Sequence, residues 1–169
     1  QWGLMIAVDG SDVERTGTVG SYGLAHSATV INLDHHPTNT RFGDIHLIVP
    51  EAVSATEIIY DWLLKMSMPP SPPVATALLT GLITDTMGFR TSNVNSRTLQ
   101  VAHELTLAGA PLLDIINRTL VTKSFSHILL WQQVFPSVEF KDGIATAVIT
   151  PENVKQADLR EMTDGGLVS

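Results

Sequence analysis

Two continuously apolar runs stop abruptly at ionisable residues, and no other feature constrains the fold of this chain as tightly. Leu4-Met5-Ile6-Ala7-Val8 gives way to Asp9-Gly10-Ser11-Asp12, and Ala28-Thr29-Val30-Ile31-Asn32-Leu33 gives way to Asp34-His35-His36-Pro37. Apolar runs without alternation predict strands covered on both faces, as in a parallel sheet between layers of helices. The carboxyl ends of such strands form the crevice where open α/β sheets bind ligands, so both clusters are expected on one sheet edge. A third short strand is predicted over 45–49.

Helical periodicity follows. Ser54-Ala55-Thr56-Glu57 has the spacing of a capping box, after which Ile58, Ile59, Trp62, Leu63 and Met66 recur on one helix face. The proline-rich stretch 68–73 stops that helix and starts another, with Ser71 as N-cap and Pro72 at the first helical position; it runs through Ala75, Leu78, Leu79 and Leu82 to Asp85. Asn95 or Ser96 caps a third helix, carrying Leu99, Ala102 and Leu105 and ended by Gly109. Pro111 opens a fourth, and 124–135 reads as a fifth. Trp62, Phe125 and Trp131 are expected to be core residues. Beyond Pro136, apolar-alternating segments flank Asp142-Gly143, a hairpin signal, and Thr150-Pro151 caps a final helix over 152–162. The predicted class is α/β: a parallel-sheet domain with flanking helices over 1–118, a connecting helix over 119–136, and the start of a smaller α+β domain over 137–169.

Composition narrows the chemistry. The 169 residues include no Cys, which excludes disulfides, thiolate metal sites and cysteine nucleophiles, so any metal must be held by His and carboxylate. With 17 acidic residues against 10 basic and a net charge of -7, the chain is poorly suited to gripping long nucleic acids through many phosphates. No apolar run approaches the roughly 20 residues of a membrane-spanning helix, and the start lacks a signal peptide's features, so the reading is soluble and cytoplasmic with no membrane partner. Neither a Walker-type loop nor a Gly-x-Gly-x-x-Gly after a strand occurs, which removes nucleotide cofactors from the reading.

Potential ligands concentrate at Asp9 and Asp12, at Asp34-His35-His36, and at Asp85. Nitrogen and oxygen donors without sulfur suit Mn²⁺ or another borderline-to-hard divalent ion. If the two strands are neighbours, Asp9, His35 and His36 emerge side by side. The structural alternatives stay open: Asp12 reads as an N-cap for Val13-Glu14-Arg15, Asp9 as another cap, and Asp85 as a turn residue ahead of Gly88. His26, His46, His103 and His127 have no comparable placement and are assigned structural or solvent roles.

Together these residues resemble the DHH family of phosphoesterases, in its NrnA-like branch of nanoRNases and pAp phosphatases related to RecJ. The residues 8–17, Val-Asp-Gly-Ser-Asp-Val-Glu-Arg-Thr-Gly, resemble the family's second motif, and Asp34-His35-His36-Pro37-x-Asn39 the third. Thr80-Gly81-Leu82-Ile83-Thr84-Asp85-Thr86-Met87-Gly88-Phe89-Arg90 resembles the fourth, with Thr91-Ser92-Asn93 continuing it. The resemblance implies Asp9, His35 and Asp85 as metal ligands, Asp9 bridging two Mn²⁺ ions, with Mg²⁺ or Co²⁺ as alternatives. It implies His36 at the substrate phosphate as the catalytic group, Asp34 as a catalytic residue that orients a neighbouring His, and Arg90 and Asn93 as substrate contacts. The implied activity is hydrolysis of short oligoribonucleotides or of 3′-phosphoadenosine 5′-phosphate (pAp) by metal-activated water. Implied partners are short RNA or DNA oligonucleotides or small phosphorylated nucleotides, and a homodimer is compatible with the family. The alternatives are a cyclic-dinucleotide phosphodiesterase of the same family and a non-catalytic binding module; a family II pyrophosphatase fits the continuation after Phe89 less well. The family's first motif, His-x-x-x-Asp-x-Asp, would precede residue 1, and its Gly-Gly-Gly-His element is not found at 164–167. The chain is therefore expected to be truncated at both ends, to hold at most one Mn²⁺ well and to turn over slowly or not at all.

Overall fold

Strand β2, Val30–Asp34, is buried along its whole length. A computed structural model of the chain, describing residues 2–121 and 124–158, places it between β1, Met5–Val8, and β3, Ile45–Ile48, both parallel to it. The register pairs Val8 with Leu33 and Leu33 with Leu47, so β1 and β2 end at one edge of the sheet. Burial on both faces, expected of both apolar runs, holds for β2. In β1, Ile6 is 42% and Val8 46% exposed, because β1 is an outer strand of the described sheet.

Helices α2 (Ala55–Lys65), α3 (Pro72–Asp85) and α4 (Ser96–Leu107) pack in sequence, and α2 also lies on β2. Leu33, Ala52, Ala55 and Ile58 form one core cluster, with Leu47, Ile59 and Trp62 packed against it. Ser54 caps α2, accepting a hydrogen bond from the Glu57 N–H, and Asn95 caps α4 in a reciprocal box with Thr98. Leu78, Leu79, Leu82 and Ile83 bury the inner face of α3 and lead it to Asp85. Gly109, at φ 101, ends the turn after α4 in the left-handed region, and a short α5, Leu112–Ile116, follows.

One helix has no counterpart in the periodicity: α1, Gly17–His26, between β1 and β2. Its sequence carries three glycines, each unfavourable in a helix by about 1 kcal/mol relative to Ala. Packing explains the one at Gly23, where a Cβ would lie 2.6 Å from the Met5 sulfur. The glycine lets α1 approach β1 closely, which outweighs its poor intrinsic propensity.

The chain divides into two compact units, Gln1–Thr119 and Leu120–Ser169. In the second, α6 (Phe125–Val134) and α7 (Pro151–Gln156) meet around Leu130, Val134 and Ala157, with Trp131 partly buried against them. Phe125, expected in the core, is 72% exposed, since it sits in the first turn of α6 away from that cluster. Strands β4 (Glu139–Lys141) and β5 (Ile144–Thr146) pair antiparallel through Asp142 and Gly143, at φ 51 and φ 81, the paired positive values that suit a tight hairpin turn. The helix expected over 152–162 is found at Pro151–Gln156; positions 159–162 and the 164–167 segment lie outside the described residues. No helix of the described residues is long and apolar enough to cross a membrane.

Candidate metal centre

The parallel register carries the two acidic clusters to one place. Asp9 leaves β1 with its N–H still bonded to the Leu33 carbonyl at 3.0 Å, then turns into the left-handed region at φ 59. Asp34 is the last residue of β2, and His35 and His36 follow it directly. Asp85 arrives from a different direction, as the last residue of α3.

His35 is the meeting point. Its Nε2 lies 3.4 Å from Asp9 Oδ1 and 4.0 Å from Asp85 Oδ2. Its other nitrogen, Nδ1, lies 3.3 Å from the carbonyl oxygen of Ala52, which can only accept, so Nδ1 carries the proton. In the neutral ring Nε2 then presents a lone pair toward two carboxylates. Such an arrangement is repulsive unless a positive charge sits among the three groups, and a divalent cation satisfies all of them. Donation of the ring's far N–H to a backbone carbonyl is also how metal-binding histidines are commonly oriented. The donors available are nitrogen and oxygen without sulfur, which fits a borderline-to-hard ion. Asp9, Asp34, His35 and His36 each offer a ligand atom within 4.8 Å of the others.

Asp34 plays a different part from Asp9 and Asp85. Its side chain is 0% exposed, and its oxygens are occupied by three N–H groups. Oδ1 accepts from the His35 backbone at 2.8 Å and from His36 Nδ1 at 2.7 Å, while Oδ2 accepts from Asn39 Nδ2 at 2.6 Å. Burial alone would raise its pKa; the hydrogen bonds from Asn39, His36 and the His35 N–H outweigh that and hold it below the usual carboxylate range. Asp34 is thus an ionised, sealed orienter of His36 and of the backbone at His35. Asp85 shifts the other way, raised by burial and by the charge of Asp9, with His35 and His36 opposing.

Arg90 and Asn93 lie exposed in the connection between α3 and α4. Their hydrogen bonds are local: Arg90 Nε donates to the Met87 carbonyl at 2.6 Å, and the Asn93 carbonyl accepts from Asn95. The structure brings together Asp9, Asp34, His35, His36 and Asp85, and among the described residues neither Arg90 nor Asn93 joins them through a hydrogen bond or ion pair. The backbone beside Asp85 is unusual, with Met87, Gly88 and Phe89 all left-handed at φ 49, 71 and 66. Buried Thr86 supports this turn, its hydroxyl donating to the Leu82 carbonyl and accepting from the Phe89 N–H. Asp12, read as a cap, accepts the Arg15 N–H at 2.9 Å and remains outside the cluster. Two contributors carried no assigned role in the sequence: the Ala52 carbonyl, which has no side-chain signature, and Asn39, which stands in the third motif.

No family model matches the chain. Among curated proteins it is similar to the bifunctional oligoribonuclease and PAP phosphatase NrnA of Thermus thermophilus, 32% identical over 139 residues, 82% of this chain and 41% of that protein. The probable bifunctional oligoribonuclease and PAP phosphatase NrnA of Streptococcus mutans is 28% identical over 141 residues, 83% of this chain and 45% of its own length. The crystal structure of an exopolyphosphatase-related protein from Bacteroides fragilis superposes with a TM-score of 0.82 at 24% identity, over 92% of this chain and 47% of that one. This likeness supports the α/β fold. The chain spans less than half the length of the curated relatives it matches, and its resemblance to NrnA extends over more than four fifths of its residues, 82% in the first case.

Proposed function

We propose that this NrnA-like chain carries the metal-holding site of a DHH phosphoesterase that hydrolyses short oligoribonucleotides and pAp. The observation that carries the reading is the convergence of Asp9 and Asp85 on Nε2 of His35, at 3.4 and 4.0 Å, at the carboxyl edge of a parallel sheet. Asp9, His35 and Asp85 would hold the cation. When bound, a divalent ion supplies Lewis-acid polarisation of a phosphoryl oxygen and a lowered pKa for coordinated water. Mn²⁺ suits these donors, with Mg²⁺ or Co²⁺ as alternatives.

The chain's own residues account for proton handling. His36 donates its Nδ1–H to the Asp34 carboxylate in a hydrogen bond, which fixes the tautomer and leaves Nε2 as the ring atom that exchanges protons with a substrate oxygen. Asp34 stays ionised and stabilises the imidazolium whenever His36 is protonated, as a buried carboxylate does behind a general acid–base histidine. Arg90 and Asn93, exposed on the turn after Asp85, are the proposed contacts to substrate phosphate and ribose. The names of the NrnA relatives, oligoribonuclease and PAP phosphatase, support the substrate class.

The test is hydrolysis by the full-length protein of pAp and of short oligoribonucleotides, first in chelator and then with Mn²⁺ restored. Metal-dependent release of phosphate from pAp and of mononucleotides from RNA is expected. A folded full-length protein that leaves both substrates intact with Mn²⁺, Mg²⁺ and Co²⁺ would refute the reading.

A further inference from the structure

We propose that Asn39 is a positioning residue whose side chain fastens the loop carrying Asp9 to the strand end carrying Asp34, His35 and His36, and so sets the gap in which the cation is held. The proposal rests on the metal-centre reading above and extends it to a residue that acts through Asp9 and Asp34.

The amide of Asn39 is fully engaged. Nδ2 donates to Asp34 Oδ2 at 2.6 Å and to the Gly10 carbonyl at 3.0 Å, with Asn32 Oδ1 close by at 3.3 Å. Oδ1 accepts from Asn32 Nδ2 at 3.1 Å and from the Arg41 N–H at 2.7 Å. Its orientation is unambiguous, because the carboxylate and the carbonyl only accept while the Arg41 N–H only donates; the flipped amide would set like against like at all three. One side chain therefore joins Gly10 after β1, Asn32 within β2 and Asp34 at the end of β2. The same contacts explain a polar residue at Asn32, fully buried in the central strand, since its side chain is paired with Asn39 on both of its polar atoms.

A second tie lies beside the first: the Thr40 N–H donates to the Ser11 carbonyl at 2.7 Å. The backbone is thus pinned just before Asp9, by its N–H to Leu33, and just after it, at Gly10 and Ser11. Asp9 itself is left-handed at φ 59, a conformation that a residue with a side chain keeps only when its surroundings over-determine it. Asn39 supplies a large part of that determination, and the 3.4 Å approach of Asp9 to His35 follows from it.

The test separates positioning from general support of the fold. Asn39→Ala is compared with wild type and with Leu105→Ala, a buried α4 position whose loss destabilises without touching the loop. In metal-free protein, amide hydrogen exchange of Asp9 and Thr40 is expected to quicken by about tenfold in Asn39→Ala, with the β2 amides unchanged. In a Mn²⁺ titration by calorimetry, at a temperature where melting curves show each variant folded, the Kd of Asn39→Ala is expected to rise by about tenfold or more, as for other outer-shell partners of metal ligands, while that of Leu105→Ala stays at the wild-type value. Asn39→Asp keeps the shape and Oδ1 but loses both donors, so it is expected to fare no better than Ala. Should Asn39→Ala fail to fold, Asn39→Ser, which retains one donor, is read in its place against the same criteria.

Wild-type exchange at Asp9 and Thr40, wild-type Mn²⁺ affinity in folded Asn39→Ala, or full recovery by Asn39→Asp would each overturn the proposal. If wild type itself binds no Mn²⁺, the metal-centre reading fails, and the exchange measurement still decides whether Asn39 is the clamp.

Discussion

Replacing Asp34 by Asn preserves shape and removes charge, and the structure allows its cost to be worked out. The buried carboxylate accepts three N–H groups, from the His35 backbone, His36 and Asn39. The better of the two amide orientations in Asp34→Asn keeps its oxygen toward His35 and His36 and turns its NH₂ against the NH₂ of Asn39. One hydrogen bond to a charged acceptor, worth about 1.5–3 kcal/mol, is lost, and the two others fall from charge-assisted to neutral strength. Asn39 can lean on Gly10 and Asn32, which offsets part of the loss, so the expected destabilisation is about 2–4 kcal/mol near neutral pH. For a unit of this size that corresponds to a drop in melting temperature of about 8–15 °C. The sign of the pH dependence follows from the depressed pKa of Asp34. Its stabilisation is fully present above the ordinary unfolded carboxylate range and is lost as pH falls through the lower folded value, whereas Asn does not titrate. Urea unfolding of both proteins in chelator, at about pH 7 and about pH 3, measures this directly. A difference below about 1 kcal/mol at neutral pH, or one that does not shrink in acid, would refute the assignment of Asp34 as an ionised, hydrogen-bonded orienter.

Three further outcomes are expected. His35→Ala should weaken Mn²⁺ binding by about tenfold or more and abolish the rise in melting temperature that Mn²⁺ gives wild type, both read in one metal-titrated thermal melt. Gly81→Ala gains about 1 kcal/mol of helix propensity but drives its new methyl into the Thr56 side chain where α2 and α3 meet, so urea unfolding should show a net loss of about 1–2 kcal/mol; a stabilised variant would contradict that close approach. Asp85→Asn should stabilise the metal-free protein near neutral pH, because the raised folded pKa of Asp85 means its charged form opposes folding above the ordinary carboxylate range and ceases to as pH falls. The same variant should lose stability relative to wild type once Mn²⁺ is added, and unfolding curves with and without the ion check both signs.

The parts of the fold that were legible in the sequence are those with a local signal. The switch from Val8 to Asp9 and from Leu33 to Asp34 marks strand ends because residue type flips there from apolar to ionisable within one position. Ser54, Asn95 and Gly109 mark helix ends because unpaired backbone groups need those side chains or that φ. Helix α1 was not legible, since Gly23 serves packing against Met5, a contact set by the tertiary fold. The same distinction holds within the site. Asp9, His35, His36 and Asp85 carry reactive groups and stand at strand and helix ends, so residue type and position point to them. The Ala52 carbonyl belongs to the backbone and leaves no mark on the sequence; the separate roles of Asp34 and Asp9, both Asp after an apolar strand, came from the family resemblance and acquire a physical basis in exposure, 0% for one side chain and 49% for the other.

That contrast in exposure explains how one cluster can hold carboxylates doing opposite work. Asp34 is sealed and saturated with donors, so its charge is already compensated and it contributes to folding. Asp9 and Asp85 converge on His35 Nε2, and burial together with the charge of Asp9 raises the pKa of Asp85, a repulsion that the proposed cation would relieve. The chain tolerates the repulsion because the compensated layer beneath it is rigid: Asn39 and Asp34 fix the loops, and the left-handed turn at Asp9 keeps the carboxylate directed at His35. A protein selected for stability alone would relax by letting Asp9 swing away into solvent. Holding it in place costs folding energy and lowers the reorganisation needed when the cation arrives, the usual exchange between stability and function in a preorganised site.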